Sequence, residues 1–182
     1  MTEQPQLWAQ ILDWCADITA QFITAQVLHG ASALQVFDSW AGRLTVDEYR
    51  QFAMPHTARL FRQLSGLTDK NGTPVPRVHF GVETRDILQD MYQSGATVIG
   101  VDFQTDLSEA SSMFLDSVPV QGNIDPDILT QPWSEIEAHV RHVIAVGSSA
   151  PGHVVNLGHG VPPMTEPDVL TRIVALVHSI QS

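Results

Sequence analysis

His153-Val154-Val155-Asn156-Leu157-Gly158-His159-Gly160 sets an apolar run and a polar turn back to back. His153 to Leu157 has the length and branching of a short buried strand. The cluster after it places an amide, Asn156, and an imidazole, His159, on a tight turn. Glycine on either side of His159 lets the backbone turn sharply and lets a ligand come close. Four other apolar runs of this chain also break off at a small polar cluster.

Outward from that stretch, strands and helices take turns. Pro5 to Leu28 repeats Leu7, Ile11, Cys15, Ile18 and Phe22 at helical spacing, which predicts a long amphipathic helix with these residues inward, ending at Gly30. Ala33 to Phe37 reads as a strand. Thr45 with Glu48 three residues on is a capping box, opening a helix that runs towards Leu64. Thr68 to Pro76 is a polar, Gly- and Pro-containing loop. Val75–Gly81, Thr97–Val101 and Val118–Gln121 read as strands, with helices over Ile87–Ser94, Ser108–Leu115 and Trp133–Val146. The last helix begins at Thr165 and turns Val169, Leu170, Ile173, Val174 and Val177 inward.

Five alternations of strand and helix predict an α/β fold, a parallel sheet with helices outside it. An open sheet can stop at five strands, whereas a closed (β/α) barrel needs eight and about 250 residues. The chain opens on a helix with no strand before it. Read as a barrel, it is an incomplete (β/α)8 TIM barrel of about five β/α units with an extra N-terminal helix, a single partial domain over residues 1–182, its first three strands lying outside the sequence.

The chain of 182 residues is 43% hydrophobic, enough for one sizeable core. No apolar stretch approaches the roughly 18 residues that cross a bilayer. Met1-Thr2-Glu3-Gln4 begins no signal peptide, so a cytoplasmic setting is expected. The one cysteine, Cys15, is predicted to be a small core residue, in keeping with a reducing compartment. The net charge is −11, from nine Lys and Arg against twenty Asp and Glu, which argues against nucleic acid and anionic membranes as partners. There is no Gly-x-Gly-x-x-Gly and no P-loop, so nucleotide binding has no support.

The polar clusters carry the chemistry. In Phe37-Asp38-Ser39-Trp40-Ala41-Gly42, Asp38 and Ser39 either meet a ligand's polar groups or form a turn in which Asp38 bonds local backbone N–H groups. No base neighbours Ser39, which argues against a nucleophile. Gln121-Gly122-Asn123 suits a ligand or the neighbouring loops, while Asp125-Pro126 reads as a helix cap. Asp102 would need a partner if buried, such as His79 or Arg77, and a salt-bridged structural role is open to it. His159 is the strongest single candidate, able to bind a carboxylate or to supply a proton near neutrality. The eight histidines show no metal-ligand spacing, and His139 and His142 lie on a peripheral helix.

Taken in order, Phe37–Gly42, Gly100-Val101-Asp102-Phe103, Gln121–Pro126 and Asn156–Gly160 resemble the motifs of the uroporphyrinogen decarboxylase family, and Gln21–Gly30 and Pro163–Pro167 fit as well. The resemblance spans essentially the whole chain. It implies a (β/α)8 barrel that removes carbon dioxide from the four acetate side chains of uroporphyrinogen III, giving coproporphyrinogen III for haem and chlorophyll synthesis. It implies no metal and no organic cofactor, a tetrapyrrole as partner, and Ser39 and His159 as substrate-binding residues. Asp38, Arg85, Asp102, Gln121 and Asn123 are supporting candidates. The family's arginine-rich N-terminal motif, its pyrrole-gathering aspartate and its active-site tyrosine have no counterpart in the chain. Phe103 stands where tryptophan is common. Val82-Glu83-Thr84-Arg85 replaces a glycine-richer turn, which is what brings Arg85 forward.

The chain is therefore expected to be the C-terminal part of such an enzyme, inactive alone, with a homodimer or pairing with a missing N-terminal half as possible assemblies. Arg43, Arg77 and Arg85 are the only arginines expected near strand ends, too few to offset a charge of −11 against a polycarboxylate. Three other readings are a zinc-dependent corrinoid or methionine-synthase-like methyltransferase of the same superfamily, a non-catalytic binding or assembly module, and a truncation without function of its own.

Overall fold

Parallel pairing organises the chain. The computed structural model describes residues 1–180, and the chain divides into two compact units, Met1–Ile99 and the residues from Gly100 on. The strands are β1 (Leu34–Phe37), β2 (Arg77–Phe80), β3 (Val98–Gly100), β4 (Val120–Ile124) and β5 (His153–Leu157), hydrogen-bonded in the order β1-β2-β3-β4-β5. This is the α/β alternation the sequence predicts.

In the first unit α1 (Pro5–Leu28) leads into β1, and α2 (Val46–Phe52) and α3 (Met54–Leu64) lead from β1 to β2. β1 and β2 are parallel, Leu34 opposite Arg77 through Phe37 opposite Phe80. The capping box forms as expected: the Glu48 amide donates to Thr45 Oγ1 at 3.2 Å and the Thr45 amide to Glu48 Oε2 at 2.9 Å. The helix it opens does not run unbroken to Leu64. It stops at Ala53 (φ −121°), and α3 restarts with Pro55 in its first turn, because proline cannot continue a hydrogen-bond ladder but suits a helix start. Phe61, Leu64, Leu88, Met91 and Ile99 form the fully buried core of this unit, with α4 (Leu88–Gln93) over it.

α1 has its predicted length but presents another face. Ala16, Ala20, Ile23 and Val27 are its buried residues. Leu7, Ile11, Cys15, Ile18 and Phe22, expected inward, are exposed. Polar anchoring explains the rotation. Arg59 of α3 grips Asp17 with two bonds of 2.8 and 2.9 Å, His56 meets Asp13 at 2.7 Å, and Trp8 Nε1 donates to the Phe52 carbonyl at 2.7 Å. The small-residue stripe beside those anchors makes the close helix–helix seam.

In the second unit α5 (Leu107–Ser112) precedes β4, α6 (Trp133–Gly147) joins β4 to β5, and α7 (Pro167–Ile180) follows. β4 and β5 are parallel, Val120 opposite His153 through Ile124 opposite Leu157. β4 begins later than predicted and absorbs Gln121, Gly122 and Asn123, so every residue of it is buried. β5 is half-covered rather than buried: Val154 is 53% exposed and Asn156 is exposed. α6 turns Ile136, Val140 and Val143 inward as expected, with Ile144 only half-buried. In α7 only Ile173 and Leu176 are buried and Val174 is exposed, because Leu170, Ile173, Val174 and Val177 border an open groove of about 380 Å³ beside β5. Among the described residues no helix is long and apolar enough to cross a membrane.

Candidate substrate site

In the first unit the candidate residues gather where β1 and β2 end. The Asp38 amide donates to the Phe80 carbonyl at 2.7 Å, and the Asp38 carbonyl accepts the Ala41 amide at 3.0 Å. A turn therefore forms, but the Asp38 carbonyl closes it; the carboxylate instead points to His79, with Oδ2 3.5 Å from ring Nε2. That spacing is a charge contact, longer than a well-formed hydrogen bond. His79 is fully buried, and its Nδ1 lies 3.3 Å from the Met91 carbonyl. Ser39 is exposed beside it. Gly42 is dictated by close approach: a Cβ there would lie 2.2 Å from the Val82 carbonyl oxygen.

The arginines are largely committed. Arg43 faces Glu83 at 3.5 Å, and Arg85 bonds Asp86 at 2.9 Å. Arg77 opens β2, so it stands at the end opposite Asp38, and its Nε donates to the Gly95 carbonyl. It lies at a strand end, as the sequence reading has it, but at the end away from Asp38. Tyr49 went unnoticed in sequence. It is fully buried, and burial together with the charges of Asp38 and Asp90 pushes its hydroxyl well above the usual range. Its place four residues after the helix-capping Thr45, one turn along a helix that must cover the core, was the available signal.

In the second unit Asp102 is buried and accepts Thr105 Oγ1 at 2.7 Å. Asn123 gives its side-chain amide to the carbonyls of Asp102 (3.0 Å) and Thr105 (2.6 Å). Gln121 is buried two residues earlier on the same strand. The Gly158 amide donates to the Ile124 carbonyl at 2.8 Å, and the Phe103 amide to the Gly158 carbonyl at 3.3 Å. His159 is thereby carried beside Phe103, ring centroids 6.4 Å apart and nearly perpendicular, with its imidazole exposed. Both flanking glycines were expected to serve the turn's dihedral angles. Neither has positive φ. Gly158 is required by contact instead, since a Cβ there would lie 2.3 Å from the Phe103 nitrogen, and Gly160 meets nothing within 4 Å.

Asp125 caps the turn over Pro126–Thr130, as the sequence reading has it. His139, set aside as peripheral, accepts the Asp125 amide on Nε2 at 3.0 Å. Burial pulls its pKa down, the Asp125 charge opposes that, and His142 adds to the lowering. The structure thus ties Asp102, Asn123, Gly158 and His159 into one bonded rim of the second unit, and Asp38 with Ser39 and His79 into one rim of the first. Among the described residues no three His, Cys, Asp or Glu side chains gather as a metal site.

Five parallel β/α units with polar strand ends place the chain in the (β/α)-barrel class. A methyltransferase from Methanosarcina mazei shares the fold, with a TM-score of 0.77 over 100% of this chain and 53% of that one, at 18% identity. The family model for uroporphyrinogen decarboxylase (URO-D) matches residues 1–180, and the chain belongs to that family. It is 49% identical to the uroporphyrinogen decarboxylase of Arthrobacter sp. (strain FB24), over 99% of this chain and 50% of that protein. It is 48% identical to that of Leifsonia xyli subsp. xyli over 98% and 50%, and 47% identical to that of Salinispora tropica over 99% and 47%. The chain spans about half the length of the curated relatives it matches.

Proposed function

We propose that the chain supplies part of the substrate site for decarboxylation of uroporphyrinogen III to coproporphyrinogen III, with a tetrapyrrole as ligand, in the cytoplasm. The observation that carries this reading is family membership over residues 1–180, with curated relatives of that name at 47–49% identity. Ser39 and His159 take the substrate. Both are exposed side chains at strand ends, and a hydroxyl and an imidazole N–H can each donate to a carboxylate. Asp102 and Asn123 hold the rim that carries His159, and Asp38, Arg85 and Gln121 support. On this reading the protonated pyrrole accepts the electron pair released as the carbon–carbon bond breaks, so neither metal nor organic cofactor is needed.

Charge bears on the reading too. With −11 overall, and Arg43 and Arg85 facing Glu83 and Asp86, this chain offers a polycarboxylate little attraction. Counter-charge comes from the rest of a full-length barrel, and the chain alone is expected to show no significant turnover. A chimera tests this: the chain replaces the matching half of the Arthrobacter relative and is assayed anaerobically with uroporphyrinogen III. Coproporphyrinogen formation supports the reading. A folded chimera that binds no porphyrinogen and releases no carbon dioxide overturns it.

A further inference from the structure

Behind the Asp38–Ser39 turn sits a buried histidine whose bonding is incomplete. Val36 of β1 stands opposite His79 of β2. Side chains alternate along a strand, so Asp38, two residues beyond Val36, falls on the same face as His79, and Ser39 turns away from it to solvent. The His79 ring is fully buried on that face, edge-on to Phe61 of α3 with centroids 5.3 Å apart. Its Nδ1 lies 3.3 Å from the Met91 carbonyl of α4, and its Nε2 has no hydrogen-bond partner. Buried polar groups are nearly always bonded, so an open imidazole nitrogen there is an exception that asks for a cause. Packing against Phe61 does not supply one, since a phenylalanine fills similar space without burying a nitrogen.

That nitrogen faces the Asp38 carboxylate, with Oδ2 at 3.5 Å. A shift of about 0.5 Å brings the pair to ordinary N–H···O length. A carboxylate is also a stronger acceptor than the Met91 carbonyl, which places the ring proton on Nε2. The Ser39 hydroxyl, by contrast, makes no hydrogen bond among the described residues. Its position is set by the turn alone, through the Asp38 amide on the Phe80 carbonyl at 2.7 Å and the Ala41 amide on the Asp38 carbonyl at 3.0 Å.

We propose that His79 is a positioning residue for Ser39: its Nε2–H holds the Asp38 carboxylate inward, and Asp38 fixes the turn that aims the Ser39 hydroxyl at a substrate carboxylate. This takes Ser39 as a substrate residue, as in the proposed function.

Amide exchange of the full chain, followed by NMR, reads the turn without turnover and so stands apart from the decarboxylation reading. In His79→Phe and in Asp38→Ala the Asp38 and Ala41 amides are expected to exchange about tenfold faster than in the parent, with the amides of α1 unchanged. Asp38→Asn keeps an oxygen for the Nε2–H and is expected to stay within about threefold of the parent. In the chimera, His79→Phe is expected to lower kcat/KM for uroporphyrinogen III about tenfold, chiefly through KM, and about twofold or less when Ser39 is already alanine. A merely structural loss lowers the rate by the same factor in both backgrounds. Asp38→Ala, on a partly exposed side chain, carries the same cycle should His79→Phe fail to fold. Parent-like exchange at Asp38 and Ala41, or equal rate losses with serine and alanine at position 39, overturns the proposal. A parent chimera without turnover removes the decarboxylation reading and leaves the exchange rates to decide whether His79 fixes the turn.

Discussion

The Asn123 carboxamide donates to the Thr105 carbonyl at 2.6 Å, and the same nitrogen reaches the Asp102 carbonyl at 3.0 Å. A residue with the chemistry to meet a ligand instead spends its donors holding the segment after β3. Asn123→Ala leaves two carbonyls without that donor in a buried setting, and is expected to cost roughly 2–4 kcal/mol. Asn123→Asp is expected to cost more, because a carboxylate offers no donor and faces two oxygens. Urea unfolding of both variants is the measurement; a midpoint unchanged by Asn123→Ala contradicts the clamp.

The two glycines around His159 are expected to differ sharply. Gly158→Ala drives a methyl into the Phe103 backbone, 2.3 Å from its nitrogen and 2.6 Å from Cα, and overpacking of that kind costs about 1–3 kcal/mol. Gly160→Ala meets open space and is expected to stay within about 0.5 kcal/mol of the parent. Thermal unfolding distinguishes the pair, and equal losses at both positions contradict the contact reading.

The regular part of the fold was legible because its signals are local. The Thr45–Glu48 box, the Asp125-Pro126 cap and the α/β alternation each follow from a few neighbouring residues. The face of α1 was not, since that helix carries two apolar stripes and only the partners of Asp13 and Asp17, on α3, decide which one turns inward. At the site, strand-end position singled out His159, and the family resemblance singled out Ser39. It could not separate Asn123, which serves the scaffold, from an exposed ligand group, because the two carbonyls that bind it lie 18 and 21 residues away. Tyr49 and His139 were passed over for the same reason: their roles come from burial and from partners distant in sequence.

His139 makes the second unit sensitive to acid. Its Nε2 accepts the Asp125 amide, so the bond needs a neutral ring. Burial holds its pKa below the ordinary value of 6.5. A depressed folded-state pKa means the unfolded chain takes up the proton first as pH falls. The His139 contribution is therefore present above about pH 6.5 and is lost as pH falls through the lower, folded-state value. His139→Gln keeps an acceptor for Asp125 without a titrating ring. Urea midpoints at pH 7.5 and 5.5 are expected to fall less in this variant than in the parent, and parallel profiles contradict the assignment.

Ser39 and His159 are exposed, so replacing them leaves the core untouched, and their loss is expected to register in function rather than in stability. In the chimeric full-length enzyme, Ser39→Ala and His159→Asn are each expected to lower kcat/KM about tenfold to hundredfold, the scale of one hydrogen bond to a charged group. Unfolding midpoints are expected to stay within about 0.5 kcal/mol of the parent, as for surface changes elsewhere. Initial rates of coproporphyrinogen formation measure this. Wild-type kcat/KM in both variants contradicts the substrate assignment, and a parallel loss of rate and stability would move these residues from the ligand to the scaffold.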